Sequence, residues 1–413
     1  MSNNTGNIKP AEVLYNIFIN TCLPVALGAI YAGYRDRAPL RTLRDKFFPP
    51  KNIKEAKYWL HGASVGEIKQ LNMVADWLKN FGVSGREILI SAQTYSGLEN
   101  INHPRKLFMP ADYSWLMAPL SRRLSVEQLI VMETELWPNL YRYHAGKVSI
   151  FNGKIKEKTY SKYRWIKPLV SAVLSRCQGV LARTASDGER FRRLGCSPDI
   201  LQVTGSLKWL ELLEAPPELE SGPRFPSKRE VLVAGSTHPG EEELALQLLE
   251  EDRRALYLAP RHLERIEEVQ HHLETEDYDW CLWSQGAGEF DGDVILVDEM
   301  GLLAGLYGRG DVAFVGGSWA SEVGGHNLLE PAVHGLPVVT GPYLANVREI
   351  SRTLAAEGLL FKTEDRENWT SKVDKALALS EGKRDNIRNR LKEKAETVKQ
   401  HYFSYLHGLV DSE

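Results

Sequence analysis

Cysteine is scarce in this chain: Cys22, Cys177, Cys196 and Cys281 are its four, scattered without paired spacing. Neither a disulfide framework nor a zinc site is indicated, and a reducing compartment fits. An excess of one charge is lacking as well. Lys and Arg number 51 against 54 Asp and Glu, a formal charge of -3, so the balance implies no nucleic-acid partner. No G-x-x-x-x-G-K-[ST] loop occurs, which argues against an NTPase. No G-x-S-x-G elbow occurs either, which leaves serine-hydrolase chemistry unsupported. Asp277-Tyr-Asp279 and Asp291-Gly-Asp293 do not follow apolar strands, so neither makes a metal–nucleotide clamp. No essential metal or other cofactor is expected. Solenoid repeats and low-complexity tracts are missing too.

Long apolar runs are rare, with one exception. Val13 to Gly33 carries no charge, and at 21 residues it is close to the length that crosses a bilayer. Asn16, Asn20, Thr21 and Pro24 weaken it, and Lys9 alone makes a poor signal-peptide start. Arg35, Arg37, Arg41, Arg44, Lys46, Lys51, Lys54 and Lys57 follow, against Asp36, Asp45 and Glu55. That bias keeps the following chain cytosolic and suits anionic headgroups. Residues 1–34 are expected to anchor the protein at a membrane; a buried amphipathic helix is the alternative.

At 413 residues the chain suits two domains. Short apolar runs at 58–60, 88–91, 128–132, 148–151, 179–182 and 200–203 alternate with helical or loop stretches, which argues for a parallel α/β sheet over 35–210. Residues 211–228 hold Pro216, Pro217, Pro223 and Pro226 among acidic and small residues and read as a linker. A second series, 230–234, 255–258, 294–297, 312–315 and 337–340, predicts another doubly wound domain over 229–385. Residues 386–413 read as one amphipathic helix.

What the chain does have is a set of polar turns at expected strand ends. Residues 314–350, FVGGSWASEVGGHNLLEPAVHGLPVVTGPYLANVREI, place Gly316-Gly317 after one strand. Gly324-Gly325 then leads into His326, Asn327 and Glu330, where freed amides at a helix start would suit a phosphate. Open α/β sheets bind ligands at this carboxyl edge. GSTHPGEEE (235–243) offers Ser236 and Thr237 for a phosphate or sugar, though alone it also reads as a helix cap. Ala259-Pro260-Arg261-His262 adds a guanidinium suited to bidentate phosphate binding. In the first domain, HGASVGE (61–67) puts Glu67 at the mouth of a turn, as a candidate general base or a dipole partner. Glu133 and Glu135, in METELWPN, are expected to shape the acceptor side. Lys154, Lys156, Lys158, Lys162, Arg164 and Lys167 form a second basic stretch, either solvated or facing acceptor phosphates or lipid.

With HGASVGE, METELWPN, VTGSLK, AGSTHPGEEE, APRH, DEMG, VGGS, GGHNLLEP and GPYLAN in order along it, the chain resembles the 3-deoxy-D-manno-octulosonic acid (Kdo) transferases over nearly its whole length. These are inverting lipopolysaccharide inner-core glycosyltransferases of the GT-B type, with two Rossmann-like domains facing a cleft. The resemblance implies CMP-Kdo as donor, a lipid A precursor as acceptor, and an N-terminal anchor at the cytoplasmic face of the cell inner membrane. It implies no nucleic-acid or protein partner. Carried over by motif, Glu67 is the base. Arg261, with the groups around Gly325, His326 and Asn327, serves the donor phosphate, Glu330 the ribose, and Lys208, Ser236 and Thr237 the Kdo side; His262, Gly317 and Asn346 are donor-binding as well. Ser64, Gly66, Glu133 and Glu135 belong to the acceptor side. Residues 152–159 and 91–97 depart from the family pattern, both in the acceptor-side domain. Rival readings are a GT-B enzyme for another nucleotide sugar or acceptor, a nucleotide-sugar epimerase, and a non-catalytic sugar-binding protein.

Overall fold

Short runs rich in Val, Ile and Leu with no polar alternation, bounded by turns, suit strands buried on both faces. In the computed structural model they form two seven-stranded, wholly parallel sheets. The structure describes residues 7–33, 38–53, 55–215, 217–250 and 254–411, with backbone alone for 23–33, 38–40, 43 and 250. The chain divides into two units, Met1–Leu207 with Val398–Glu413, and Lys208–Thr397.

In the first unit the strands are β1 (Tyr58–Gly62), β2 (Ile88–Ala92), β3 (Lys106–Phe108), β4 (Gln128–Met132), β5 (Val148–Gly153), β6 (Cys177–Ala182) and β7 (Leu201–Val203). Their order is β3-β2-β1-β4-β5-β6-β7. Trp59, Leu89, Leu129, Ile150 and Val180 are all fully buried in the core beneath. The second unit holds β8 (Glu230–Thr237), β9 (Arg254–Pro260), β10 (Trp280–Leu282), β11 (Val294–Leu296), β12 (Val312–Val315), β13 (Val338–Thr340) and β14 (Leu360–Lys362), in the order β10-β11-β9-β8-β12-β13-β14. In each sheet the chain leaves the first strand in one direction and later returns to its other side, at β4 and at β12. These are the topological switch points, where loops diverge and leave a crevice at the strands' carboxyl ends.

Residues 211–228 are no free linker. Leu207–Leu213 forms a helical turn with Trp209, Leu210 and Leu212 buried. The Arg309 guanidinium then donates to the carbonyls of Leu219, Ser221 and Pro223, fastening the proline-rich stretch to the second unit. The terminal helix runs Glu381–Asp411, and its end is built into the first unit through Tyr402, which donates to the Gly205 carbonyl at 3.0 Å.

The N-terminal helix spans Pro10–Gly33. Positions 12, 15 and 16 share one face and make polar bonds to the first unit. Glu12 pairs with Arg176 at 2.8 Å, Tyr15 donates to Asp112 at 3.0 Å, and Asn16 bonds Asn139. Val13, Leu14, Ile17 and Phe18 are left 39–68% exposed. The expected anchor is therefore a docked helix with an outward apolar ridge over its described side chains, and among the described residues no helix is long and apolar enough to cross a membrane. Residues 1–6 and 34, with Arg35, Arg37 and Lys54, lie outside the described residues.

Candidate functional site

The first switch point gathers carboxylates. Helix Val65–Asn80 begins directly after β1, capped by Ser64. The Glu67 carboxylate reaches back over this turn, accepting from the Ala63 amide at 2.8 Å and the Ser64 hydroxyl at 2.7 Å. A Cβ at Gly62 would press on Glu67 Cβ and Leu71 at 3.1 Å, so any larger residue there must displace Glu67 or Leu71 by a few tenths of an ångström. Burial raises the Glu67 pKa above the ordinary carboxylate range, against the lowering effect of those bonds. Gly66 and Ser64 are exposed at this helix start.

Glu133, just past β4, adopts φ 56°, a left-handed conformation costly for a side-chain residue. It lies 4.0 Å from the Arg183 guanidinium. Burial, and then the charge of Glu67, push the Glu135 pKa up to about 7. Glu67, raised by burial and then by the charge of Glu133, and Glu135, raised by burial and by the charge of Glu67, are half-buried carboxyls next to a strained turn, an arrangement suited to proton transfer. His61 is not part of this chemistry: it is fully buried, bonds Ser91 at 2.9 Å, and burial pushes its pKa down to about 4. Ser91, in one of the departing stretches, is thus a core residue.

The second switch point gathers cations and imidazoles. Ser236 is an extra residue in the β8–β9 ladder, with φ 56°, and lines a cavity of about 210 Å³. Arg261 and Glu330 line it too, as do Glu299, Met300 and Gly301 of the DEMG motif. The Arg261 amide donates to the Thr237 carbonyl at 3.0 Å, and its side chain is exposed. His262 is half exposed, its Nδ1 3.6 Å from Glu264. His326 Nε2 lies 2.8 Å from His238 Nε2, with the rings 7° from parallel.

Several expected donor groups are committed to the protein itself. The Thr237 hydroxyl donates to Glu242, which also pairs with Arg265 at 2.7 Å. The Gly317 amide donates to Glu241 at 2.7 Å, and the Gly325 amide to the Gly317 carbonyl at 2.8 Å. Asn346 braces the Val323 carbonyl. Asn327 donates to Glu211 at 3.0 Å and Glu330 at 3.2 Å, and accepts from the Leu329 amide. The helix after GGHN begins only at Leu329 and has five residues, so the free helix terminus expected at Gly325 is absent. Lys208 is exposed on the Leu207–Leu213 turn, which Glu211 ties to Asn327.

Sequence reasoning passed over Arg183, His238 and Glu241. His238 and Glu241 lie inside GSTHPGEEE, where the glutamates read as simple first-turn acids; only the fold carries Glu241 to the β12 turn. Among the described residues, no group of three or more His, Cys, Asp or Glu could hold a metal ion.

Comparison with known proteins adds to this geometry. Residues 41–210 match the family model described as 3-deoxy-D-manno-octulosonic-acid transferase (kdotransferase). Over 349 residues the chain is 30% identical to the 3-deoxy-D-manno-octulosonic acid transferase of Aquifex aeolicus, covering 81% of this chain and 90% of that protein. Over 408 residues it is 29% identical to a bifunctional glycosyltransferase/methyltransferase of Fusobacterium nucleatum. That match covers 87% of this chain but 63% of the relative, so the chain spans less than two thirds of that protein's length. In fold it resembles the crystal structure of a glycosyltransferase from Rickettsia africae, with a TM-score of 0.55, 12% identity, and 87% of this chain and 100% of that one covered.

Proposed function

The chain belongs to the 3-deoxy-D-manno-octulosonic-acid transferase family of glycosyltransferases, and we propose that it moves Kdo from CMP-Kdo to a lipid A precursor with inversion. The observation that carries this reading is the Glu67 carboxylate, half-buried at the β1–β4 switch point with a raised pKa. Displacement at an anomeric carbon needs one base for the incoming hydroxyl, and a carboxylate whose pKa is raised toward neutrality is a better one. Glu133 and Glu135 shape the acceptor side beside it. In the second unit, Arg261 with His326 and His262 offsets the charge that builds on the departing CMP phosphate. Glu330 takes the ribose hydroxyls, and Ser236 and Lys208 face the Kdo. No divalent metal is required, because a guanidinium and imidazoles meet the leaving charge.

The test is incubation with CMP-Kdo and a tetraacylated lipid A precursor, followed by mass spectrometry of the acceptor. A mass gain of one or more Kdo units is expected; no CMP release and no mass shift would sink the assignment. The product mass also reports how many units are added.

A lipid acceptor accounts for the outward ridge Val13, Leu14, Ile17 and Phe18. The helix Lys167–Leu174 packs against the N-terminal helix, and just before it Trp165 is 89% and Ile166 48% exposed, between Lys162, Arg164 and Lys167. Exposed aromatics flanked by cations suit a bilayer interface. Our reading puts its work at the cytoplasmic face of the inner membrane, with the N-terminal helix along the interface. Flotation with vesicles containing phosphatidylglycerol should recover the protein, and Phe18→Asp with Trp165→Asp should abolish recovery; unchanged recovery rejects this surface.

A further inference from the structure

His238 and His326 meet Nε2 to Nε2 at 2.8 Å with nearly coplanar rings, one imidazole donating and the other accepting. Such a pair has a fixed capacity for charge. Neutral, it holds one N–H between the rings. A further proton can enter at the outer nitrogen of the donor ring, giving an imidazolium that still donates to its neutral partner, and this charge-assisted bond is stronger than the neutral one. A second added proton would leave two N–H groups face to face and break the bond. The pair therefore accepts one proton and resists another.

Its surroundings disfavour a positive charge on His326. Arg261 and His262 face it from the end of β9, and the His262 ring lies 5.7 Å from that of His238. Burial, with the charges of His238, Arg261 and His262, pushes the His326 pKa down to about 4. The nearest carboxylates are committed elsewhere. Glu241 accepts the His238 amide, Glu264 lies beside His262, and Glu211 and Glu330 hold the Asn327 amide group.

We propose that this pair takes up one proton from solvent as the nucleoside monophosphate forms, matching the negative charge that glycosyl transfer adds to the leaving group. The inference rests on the CMP-sugar reading above. As the acceptor oxygen bonds the anomeric carbon, the bond from that carbon to the phosphate oxygen breaks and its electron pair stays on the phosphate. The acceptor hydroxyl proton goes to Glu67. A phosphodiester monoanion becomes a monoester whose second ionisation lies near pH 6, so it is mostly a dianion at pH 7.5. One imidazolium in the pair offsets the added charge, and release of CMP returns the proton.

Calorimetric titration of the intact protein with CMP at pH 7.5, in two buffers of different ionisation enthalpy, reads the proton uptake directly. Uptake approaching but not exceeding one proton per nucleotide is expected. His238→Gln and His326→Gln should each lose most of it, while His271→Gln, exposed on the helix Ile266–Thr275, keeps it. Binding of CMP without uptake, or uptake unchanged in the first two variants, overturns the inference and leaves the donor reading standing. Failure of CMP to bind the intact protein overturns both. If neither variant folds, the wild type still decides: its CMP affinity must weaken as pH rises from 6.5 to 8.5, and a flat profile rejects the proton link.

Discussion

The Glu241 carboxylate stands 2.7 Å from the Gly317 amide nitrogen and takes its N–H. It also accepts the amides of Ser318 and Trp319, and that of His238 from its own loop. The turn after β12, which in sequence looks made for a substrate phosphate, thus holds an anion supplied by the chain. A concavity of several backbone amides binds any suitable anion, and a tethered one forms it before a ligand arrives.

Glu241→Gln sets an NH₂ group against amides that need an acceptor. At 1% exposure no water can make up the loss, so a destabilisation of about 2–4 kcal/mol is expected. Glu243→Gln, exposed on the helix Glu242–Leu246 that Glu241 precedes, should stay within about 0.5 kcal/mol. Thermal midpoints of the two variants decide it; equal midpoints would show that the amides do not depend on this carboxylate.

Gly317 is tied to the same cluster by shape. With φ 66°, a Cβ at this position would stand 2.5 Å from Val323 and 2.8 Å from His326. Gly317→Ala should therefore cost roughly 1–3 kcal/mol from backbone conformation alone and push His326 away from His238. The expected reading is a lower midpoint together with weaker CMP binding. Wild-type CMP affinity in a folded Gly317→Ala variant would break the link between this turn and the proposed donor site.

The carboxylates of the first unit predict a pH signature. With Glu67 as the proposed base, turnover should fall as pH drops through its raised pKa, because the protonated acid cannot accept the acceptor's proton. Glu67→Gln should lose about 10²- to 10⁴-fold in kcat with CMP affinity unchanged; near-normal turnover would remove Glu67 from the base role. For Glu135, whose folded pKa is about 7 against an ordinary 4.5, the sign is opposite to that of a salt-bridged acid. Its contribution to stability is fully present below pH 4.5 and is lost as pH rises through 7. Glu135→Gln should therefore gain stability over wild type at pH 8, by at most about 3 kcal/mol, and little at pH 4. Parallel denaturation curves at both pH values, with no difference between variants, would contradict the buried-carboxylate account.

Eleven of the fourteen strands are largely apolar runs visible in sequence, since a strand covered on both faces is mostly apolar even where it buries single polar residues such as His61 and Ser91. β3, β10 and β14, at Lys106–Phe108, Trp280–Leu282 and Leu360–Lys362, are the three that are not. Two of them close one edge of each sheet and β14 closes another; three residues long and only partly covered, they carry no pattern. The geometry of the candidate site was legible where it is local, as in Glu67 reaching back to Ser64 within one turn. It was illegible where two strands must first be brought together. Nothing in GSTHPGEEE shows that Glu241 will bind the turn after β12, 76 residues away, or that His238 will meet His326. The prolines of 211–228 suggested a linker because composition does not reveal Arg309, which holds that stretch down.

Glu12 and Arg176 form a buried ion pair, 1% and 7% exposed at the side chain, that fastens the N-terminal helix to the first unit. Removing one partner leaves the other charge buried without compensation, which typically costs about 3–5 kcal/mol. The helix need not unfold to escape that cost; it can undock. Arg176→Leu should therefore release the helix before it unfolds the sheet, making residues 7–22 sensitive to a protease at temperatures where the body resists. Because the ridge Val13, Leu14, Ile17 and Phe18 faces outward only while the pair holds the helix in register, vesicle recovery should change in the same variant. A variant protected from protease at its N-terminus, with wild-type recovery, would show that the Tyr15–Asp112 and Asn16–Asn139 bonds are enough to dock the helix without the ion pair.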